Sequence, residues 1–331
     1  MTPTSDVRLR FAPSPTGNVH IGNIRAAIFN WLYARHVGGA FLLRVEDTDR
    51  ERSTDEAIAN LLDAMAWMGL DYDEDPLYQS TRRDAHLEAA DKLLADASAY
   101  RDAKGGDTEA VVFRIPWNAE DVPGVSTVGP VELDIHTDEP VVVDPSGIDY
   151  ALISKKGKPV PQKSCLAGMR DLVVENESGT SLFSLNERVE DVLAGEKIEV
   201  SGGTTLRFTR RRIAYTDLVK GELTKPLDSL RDVVIVRSDG SPVFHLANVC
   251  DDLHQGITHI VRGDDHVENT YRHLFMIHAL GGTPPQYAHL PMIVNEQGKP
   301  YSKRDGDAYV GDFRTKGYLA EALFNYLTLL G

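Results

Sequence analysis

The sequence predicts an α/β fold. A parallel sheet covered by helices is interrupted by a mostly β, α+β insertion and followed by the start of a helical region. Three observations predict it. Over residues 8–100, short apolar runs alternate with helical periodicity, the order that gives a parallel sheet with covering helices. Residues 117–210 change to short, acidic, Pro/Gly-punctuated runs. From residue 213 the apolar runs resume. The expected division is 1–116 and 211–295 as two halves of the sheet domain, 117–210 as an inserted domain, and 296–331 as a basic loop with the first part of a helical region.

The elements follow in order. Arg8-Leu9-Arg10-Phe11-Ala12 reads as a strand, Pro13 to Val19 as a loop, and His20-Ile21-Gly22-Asn23 opens a helix to Arg35. Phe41-Leu42-Leu43-Arg44-Val45 is a mostly apolar strand ending in Glu46-Asp47-Thr48-Asp49. Ser53 precedes Glu56 by three residues, a capping-box pattern. Ile58, Leu61, Leu62, Met65, Trp67 and Met68 then recur at helical spacing until Gly69. A further helix is predicted from Arg82 to Ala97. In the insertion, Val141-Val142-Val143 and Ile198-Glu199-Val200 read as strands. Val233 to Val236, the apolar run Val243 to Val249, and Ile257 to Val261 come next, before a helix from Val267 to Leu280. Pro291 to Val294 leads into Tyr301-Ser302-Lys303-Arg304-Asp305-Gly306, and Ala320 to Leu330 is helical.

With 331 residues, 42% hydrophobic and 26% charged, the chain has the balance of a globular protein with a sizeable core. Its two cysteines, Cys165 and Cys250, lack a C-x-x-C partner, so neither a disulfide framework nor zinc is expected. His254, His259, His273 and His278 show no metal-ligand spacing. Met1 to Arg10 holds no apolar stretch and no run is long enough to span a membrane, so a cytoplasmic location is expected. A net charge of −15 has the wrong sign for a general nucleic-acid binder and leaves only local patches. Two exist, Lys155-Lys156-Gly157-Lys158 with Lys163, and Arg210-Arg211-Arg212.

The chemistry concentrates in four groups. A strand, a Pro/Gly loop and a helix starting on small residues make an anion site, because the first helical N–H groups lack partners and the dipole favours negative charge. Arg10, Ser14, His20 and Asn23 lie there, His20 able to donate to a phosphate and Gly22 letting a ligand approach the backbone. Glu46-Asp47-Thr48-Asp49 ends the next strand, and ligands bind beyond the carboxyl ends of strands in open parallel sheets. Asn248, Asp251, Asp252, Arg262, Asp264, Asp265 and His266 form a third group, also expected at strand ends. Ser302-Lys303-Arg304 is the fourth. Two phosphate-binding elements this far apart suggest one nucleotide clamped between two halves of a fold.

In these residues the chain resembles the glutamyl-tRNA synthetase family of class I aminoacyl-tRNA synthetases. The matching blocks are Arg10 to Gly17 with His20-Ile21-Gly22-Asn23, Phe29 to Arg35, Arg44 to Arg52, Asp217 to Gly221, His245 to Val249, Ile260 to His266, Ser302 to Gly306 and Gly317 to Gly331. The resemblance implies a Rossmann-like catalytic domain, ATP with Mg²⁺, L-glutamate, the acceptor end of tRNA(Glu), and a monomer. It places Arg10, Ala12, Ser14, Glu46, Phe244, Asn248 and Arg262 at glutamate. It places Pro13, His20, Gly22, Asn23, Asp265, His266, Ser302, Lys303 and Arg304 at ATP, with His20 and Lys303 catalytic. Thr48, Asp49 and Arg52 would lie near the tRNA 3′ end.

The sequence departs from the family pattern at Asn23, at Pro300-Tyr301 before Ser302, and at Phe244, where a tyrosine hydroxyl is expected. The family's acceptor-end module is missing between Tyr100-Arg101 and Val111 to Arg114, and the 117–210 insertion is the candidate replacement. An anticodon-binding domain is expected after Gly331, so the chain reads as a cut catalytic region. The alternatives are a stand-alone paralogue like the glutamyl-queuosine tRNA(Asp) synthetases and a catalytically silent nucleotide-binding paralogue.

Overall fold

The computed structural model describes residues 4–15, 17–48, 53–103, 108–117, 122–136, 138–302 and 304–330. The N-terminal part alternates strand and helix: β1 (Arg8–Phe11), α1 (Ile21–Val37), β2 (Ala40–Val45), α2 (Asp55–Trp67), β3 (Leu77–Tyr78) and α3 (Arg83–Ala95). A hairpin of β4 (Ala99–Asp102) and β5 (Ala110–Phe113) follows. The middle is mostly β, with β6 (Val125–Asp134), β7 (Val141–Asp144), β8 (Gly147–Ile153), β9 (Pro159–Ser164), β10 (Met169–Glu175), β11 (Ser181–Ser184), the short α4 (Val189–Ala194) and β12 (Ile198–Val200). The chain returns through β13 (Thr205–Asp217), β14 (Gly221–Pro226) and β15 (Val233–Val236). It continues with α5 (Phe244–His254), β16 (His259–Gly263), α6 (Val267–Ala279), β17 (Gln286–Leu290), α7 (Val310–Thr315) and α8 (Ala320–Leu329).

The parallel strands lie in the order β3-β2-β1-β16-β17, with the end of β13 beside β17. β1 is central. Its chain neighbour β2 pairs on one side, and β16, which follows the whole insertion, pairs on the other. That reversal is a topological switch point, where the loops leaving adjacent strands diverge and open a crevice at the carboxyl ends. The insertion builds antiparallel layers, with β7, β8, β9 and β12 in one sheet and β6, β10 and β13 extending the main one. β15 stands apart from the parallel strands and pairs antiparallel with β5.

Local chemistry sets the ends of the elements. α1 is capped by His20, whose ring accepts from the Gly22 amide, and ends at Gly38 with φ 66°, a conformation glycine takes without penalty. α2 starts one residue later than the capping-box pattern predicts. Its N-cap is Thr54, which accepts from the Ala57 amide, not Ser53. This phase puts Asp55 and Glu56 in the first turn, favourable to the dipole, and turns Ala57, Leu61, Ala64 and Met65 to the core. The apolar run Val243 to Val249 is largely helical, within α5, which buries Leu246, Ala247 and Val249. Asn248, Asp251 and Asp252 therefore sit on a helix rather than at strand ends, and their i, i+3, i+4 spacing is the helical signal.

Candidate active site

A cavity of about 520 Å³ opens at the switch point between β1 and β16. The loop after β1 contributes Ala12, Pro13 and Ser14 with the β1 residue Arg10; the start of α1 contributes His20, Gly22, Asn23 and Arg25. Glu46 enters from the end of β2, Phe244 and Asn248 from α5, and Arg262, Asp265 and His266 from the end of β16 and the turn after it. Residues more than 200 positions apart thus meet in one hollow.

Beneath the cavity lies a buried charge network. Arg10 donates to both oxygens of Asp252, at 2.9 and 3.4 Å. Arg44 is fully buried and donates to the same Asp252 at 2.6 Å and to Glu46 at 3.4 Å. Asn248 donates to Glu46 at 3.0 Å. Burial pushes the Asp252 carboxyl up, but Arg10 and Arg44 outweigh it and hold the group below its ordinary range. Burial also raises Glu46, and there Arg44, Arg10 and Asn248 only partly offset it. Glu46 is thus a buried carboxyl whose charge its partners only partly offset, so a further cation beside it would favour its ionised form.

Arg262 is 7% exposed, and its hydrogen bonds go only to neutral acceptors. Its Nε donates to His289 at 3.2 Å, and its Nη2 to Thr270 Oγ1 at 2.7 Å and the His266 carbonyl at 3.3 Å. The guanidinium lies 5.4 Å from the Tyr287 ring centre. No carboxylate pairs with it among the described residues. Burial lowers its pKa, but the ordinary value of 12.5 leaves it charged near neutrality. A buried cation with neutral partners on a cavity wall is a strong anion ligand, because its charge is neither solvated nor neutralised.

The two elements expected to bind phosphate also approach each other. Ile21 N–H donates to the Ala308 carbonyl at 2.9 Å and Val310 N–H to the Val19 carbonyl at 3.0 Å, so the segment after the Ser-Lys-Arg loop runs along the start of α1. His20 Nδ1 accepts from Gly22 N–H at 3.0 Å, which leaves the proton of the neutral ring on Nε2 as a donor. Burial lowers the His20 pKa, with a hydrogen bond to the Tyr301 backbone opposing it. Gly22 has an added purpose here: a Cβ at that position would stand 3.2 Å from His20 Nδ1. Ser302 lies outside the cavity wall, pinned by Asp305, which accepts from its amide at 2.9 Å and its hydroxyl at 2.8 Å. Asn295 and then Ser302 hold the Asp305 carboxyl below its ordinary value.

The other expected residues divide. Thr48 is exposed and does not line the cavity, and Arg304 is exposed on the loop. Lys303, Asp49 and Arg52 lie outside the described residues. Arg44, Arg25 and Tyr301 are missing from the expected site, yet Arg25 and Tyr301 line the cavity, and Arg44 holds its floor together with Asp252 of the third expected group. A lone arginine within an apolar strand was the available signal for Arg44. Arg25 is 3% exposed, donates to the Pro291 carbonyl at 2.8 Å and leaves its buried Nε unpartnered. No group of three or more His, Cys, Asp or Glu suited to a metal ion occurs among the described residues. Burial pushes the Cys250 thiol up to about 12 and the Cys165 thiol higher still, so neither offers a ready thiolate. Of the basic clusters, Arg210 pairs with Asp228 at 3.1 Å and Arg211 is buried, whereas Lys155, Lys156 and Lys158 are exposed at the β8–β9 turn.

The sequence profile of tRNA synthetases class I (E and Q), catalytic domain, matches residues 6–108 and 184–331. The chain belongs to this family. As a class I tRNA synthetase catalytic domain it is 38% identical over 330 residues to a glutamate–tRNA ligase of Nitrosomonas eutropha, covering 98% of this chain and 58% of that protein. It is 38% identical over 334 residues to the glutamate–tRNA ligase of Neisseria gonorrhoeae, covering 98% and 59%. A solved glutamate tRNA ligase from Elizabethkingia meningosepticum, in complex with its amino acid, superposes with a TM-score of 0.61 at 25% identity, covering 99% of this chain and 61% of that one. The synthetase chain thus spans less than two thirds of the length of these relatives. The profile leaves residues 109–183 unmatched, which is most of the antiparallel insertion. No helix among the described residues is long and apolar enough to cross a membrane.

Proposed function

We propose that this chain carries the catalytic centre of a glutamate–tRNA ligase. The observation that carries the reading is Arg262, a buried cation with neutral partners beside a second buried arginine and a half-compensated carboxylate. Arg10, Arg44 and Arg262 supply three positive charges, and Asp252 and Glu46 supply two negative ones. The excess of one matches an amino acid with two carboxylates and one ammonium. Arg262 and Arg10 would take carboxylates and Glu46 the ammonium, with Ala12, Ser14, Phe244 and Asn248 shaping the pocket.

In the first step a carboxylate oxygen of glutamate attacks the α-phosphorus of ATP. The acyl–phosphate bond forms, the bond to the β-phosphate oxygen breaks, and pyrophosphate leaves. Such a transfer needs positioning and charge stabilisation more than a nucleophilic side chain. His20 Nε2–H and Lys303 would donate to phosphate oxygens as charge grows, with Pro13, Gly22, Asn23, Asp265, His266, Ser302 and Arg304 around the nucleotide. Magnesium would supply charge neutralisation at the phosphates. The described residues form no carboxylate cage for it, so its oxygens would come chiefly from ATP. In the second step a 3′-terminal ribose hydroxyl of tRNA attacks the acyl carbon and AMP leaves, with Thr48, Asp49 and Arg52 towards that end. The insertion, with Lys155, Lys156 and Lys158 exposed, would add phosphate contacts. A monomeric protein of the cytoplasm fits this reading.

The test is ATP–pyrophosphate exchange with L-glutamate, L-glutamine or no amino acid, each with and without a tRNA pool. Exchange supported by glutamate over glutamine is expected. No exchange in any arm refutes the reading.

A further inference from the structure

Arg262 is aimed from behind. Strand register places His289 beside it, since Arg262 and His289 are paired residues of β16 and β17. Asp217 at the end of β13 pairs with Tyr287, two residues before His289 and so on the same face of the sheet as it. Asp217 Oδ2 lies 2.6 Å from His289 Nδ1, and both groups are buried. The same carboxylate accepts from the amides of Val219 and Lys220, each at 2.9 Å, and from the His289 amide at 3.2 Å. Burial raises Asp217, and these donors outweigh it, holding the carboxyl below its ordinary value. It is therefore ionised and can only accept, so the imidazole proton sits on Nδ1 and Nε2 presents its lone pair to Arg262. Burial, then the Arg262 charge, lowers His289 to about 4, so the ring is neutral near pH 7.

This arrangement separates aim from charge. A carboxylate placed directly on Arg262 would orient it equally well but would neutralise the cation and occupy donors meant for a ligand. An interposed neutral ring passes on the orientation and keeps the acid one imidazole width away. We propose that Asp217 and His289 are positioning residues that set the preference for a dicarboxylic amino acid over its amide, by holding Arg262 charged and aimed into the cavity. The proposal rests on the glutamate reading of the site. A bound amide would leave the buried guanidinium without a counter-charge, whereas a carboxylate supplies one.

Three variants separate the parts. Asp217→Asn would turn its NH₂ towards His289, because its single oxygen is claimed by the turn amides. The imidazole proton would then move to Nε2 and confront the Arg262 N–H. His289→Asn keeps a polar atom near the place of Nδ1 and offers Arg262 nothing. His289→Gln restores an acceptor near the place of Nε2. In exchange assays, Asp217→Asn and His289→Asn should raise the KM for glutamate by ~10-fold or more and reduce the glutamate-over-glutamine ratio of kcat/KM similarly, with kcat and the KM for ATP changed less than ~3-fold. His289→Gln should stay within ~3-fold of wild type on both readouts. Should Asp217→Asn fail to fold, because it also ties the 217–220 turn, the two His289 variants carry the comparison. Folded variants with unchanged glutamate KM and unchanged preference overturn the proposal while wild-type exchange upholds the glutamate reading. Equal losses in kcat and in both KM values overturn it too, as a packing role would produce them. Absence of exchange in the wild type overturns the glutamate reading and this proposal together.

Discussion

Replacing Arg44 with methionine removes a fully buried cation beneath the cavity while roughly keeping its volume. Asp252 loses its 2.6 Å partner but keeps Arg10 at 2.9 Å, and Glu46 loses its 3.4 Å partner but keeps Asn248 at 3.0 Å. Breaking a buried pair by removing one member costs about 3–5 kcal/mol, and the retained partners place this change near ~3 kcal/mol. Function should suffer through Glu46. Arg44 is the largest influence opposing its burial, so the carboxyl should rise further, hold its proton and lose its grip on an ammonium. A ~10-fold higher glutamate KM corresponds to ~1.4 kcal/mol, about half of the expected loss. Part of it should return at higher pH, as Glu46 ionises again. Denaturant titration read by Trp31 and Trp67, on α1 and α2, measures the first effect, and exchange kinetics at pH 7 and pH 8.5 measure the second. A stability change under ~1 kcal/mol with an unchanged glutamate KM refutes the reasoning, because it would mean the network bears no charge strain.

Asp232 supplies a pH test away from the cavity: burial lifts its carboxyl to about 7, with the Ile115 amide, Tyr100 and Arg114 opposing. The folded chain then binds a proton more tightly than the unfolded one, so stability should fall as pH rises from about 3.8 to about 7 and level off above. A rise from about 3.8 to about 7 corresponds to about 4 kcal/mol, and Asp232→Asn should abolish that contribution to the slope of denaturation curves across the range; an unchanged slope in the variant contradicts the assignment. Lys303→Ala should slow exchange by ~10²-fold while ATP binding weakens far less, the mark of a donor used in the transition state. Equal losses in rate and ATP affinity would make Lys303 an ordinary binding residue. Gly22→Ala should push His20 off its cap and slow exchange by ~10-fold, with helix content by circular dichroism unchanged; full activity would mean the imidazole needs no such seat.

Much of this site is local and could be read from the chain. The strand–loop–helix at Arg8 to Arg35 and Glu46 at a strand end depend on turn chemistry and short-range periodicity, which neighbouring residues carry. Alternation of strands and helices was enough for the parallel sheet, and the change of pattern after residue 117 for the mostly β insertion. Tertiary structure decided the rest. Whether Asp252 serves Arg10, Arg44 or both depends on the fold bringing α5 to side chains of β1 and β2 more than 200 residues away. Arg262 is joined to His289 and Asp217 only because three strands align in one register, and no spacing in the sequence records that alignment. The same holds for the helical phase of Val243 to Val249, which burial of Leu246, Ala247 and Val249 selects over a strand. Local sequence sets which groups can bond and which backbone shapes are cheap; burial and register decide which of the possible partners stand within three ångströms and how the charge that remains is shared.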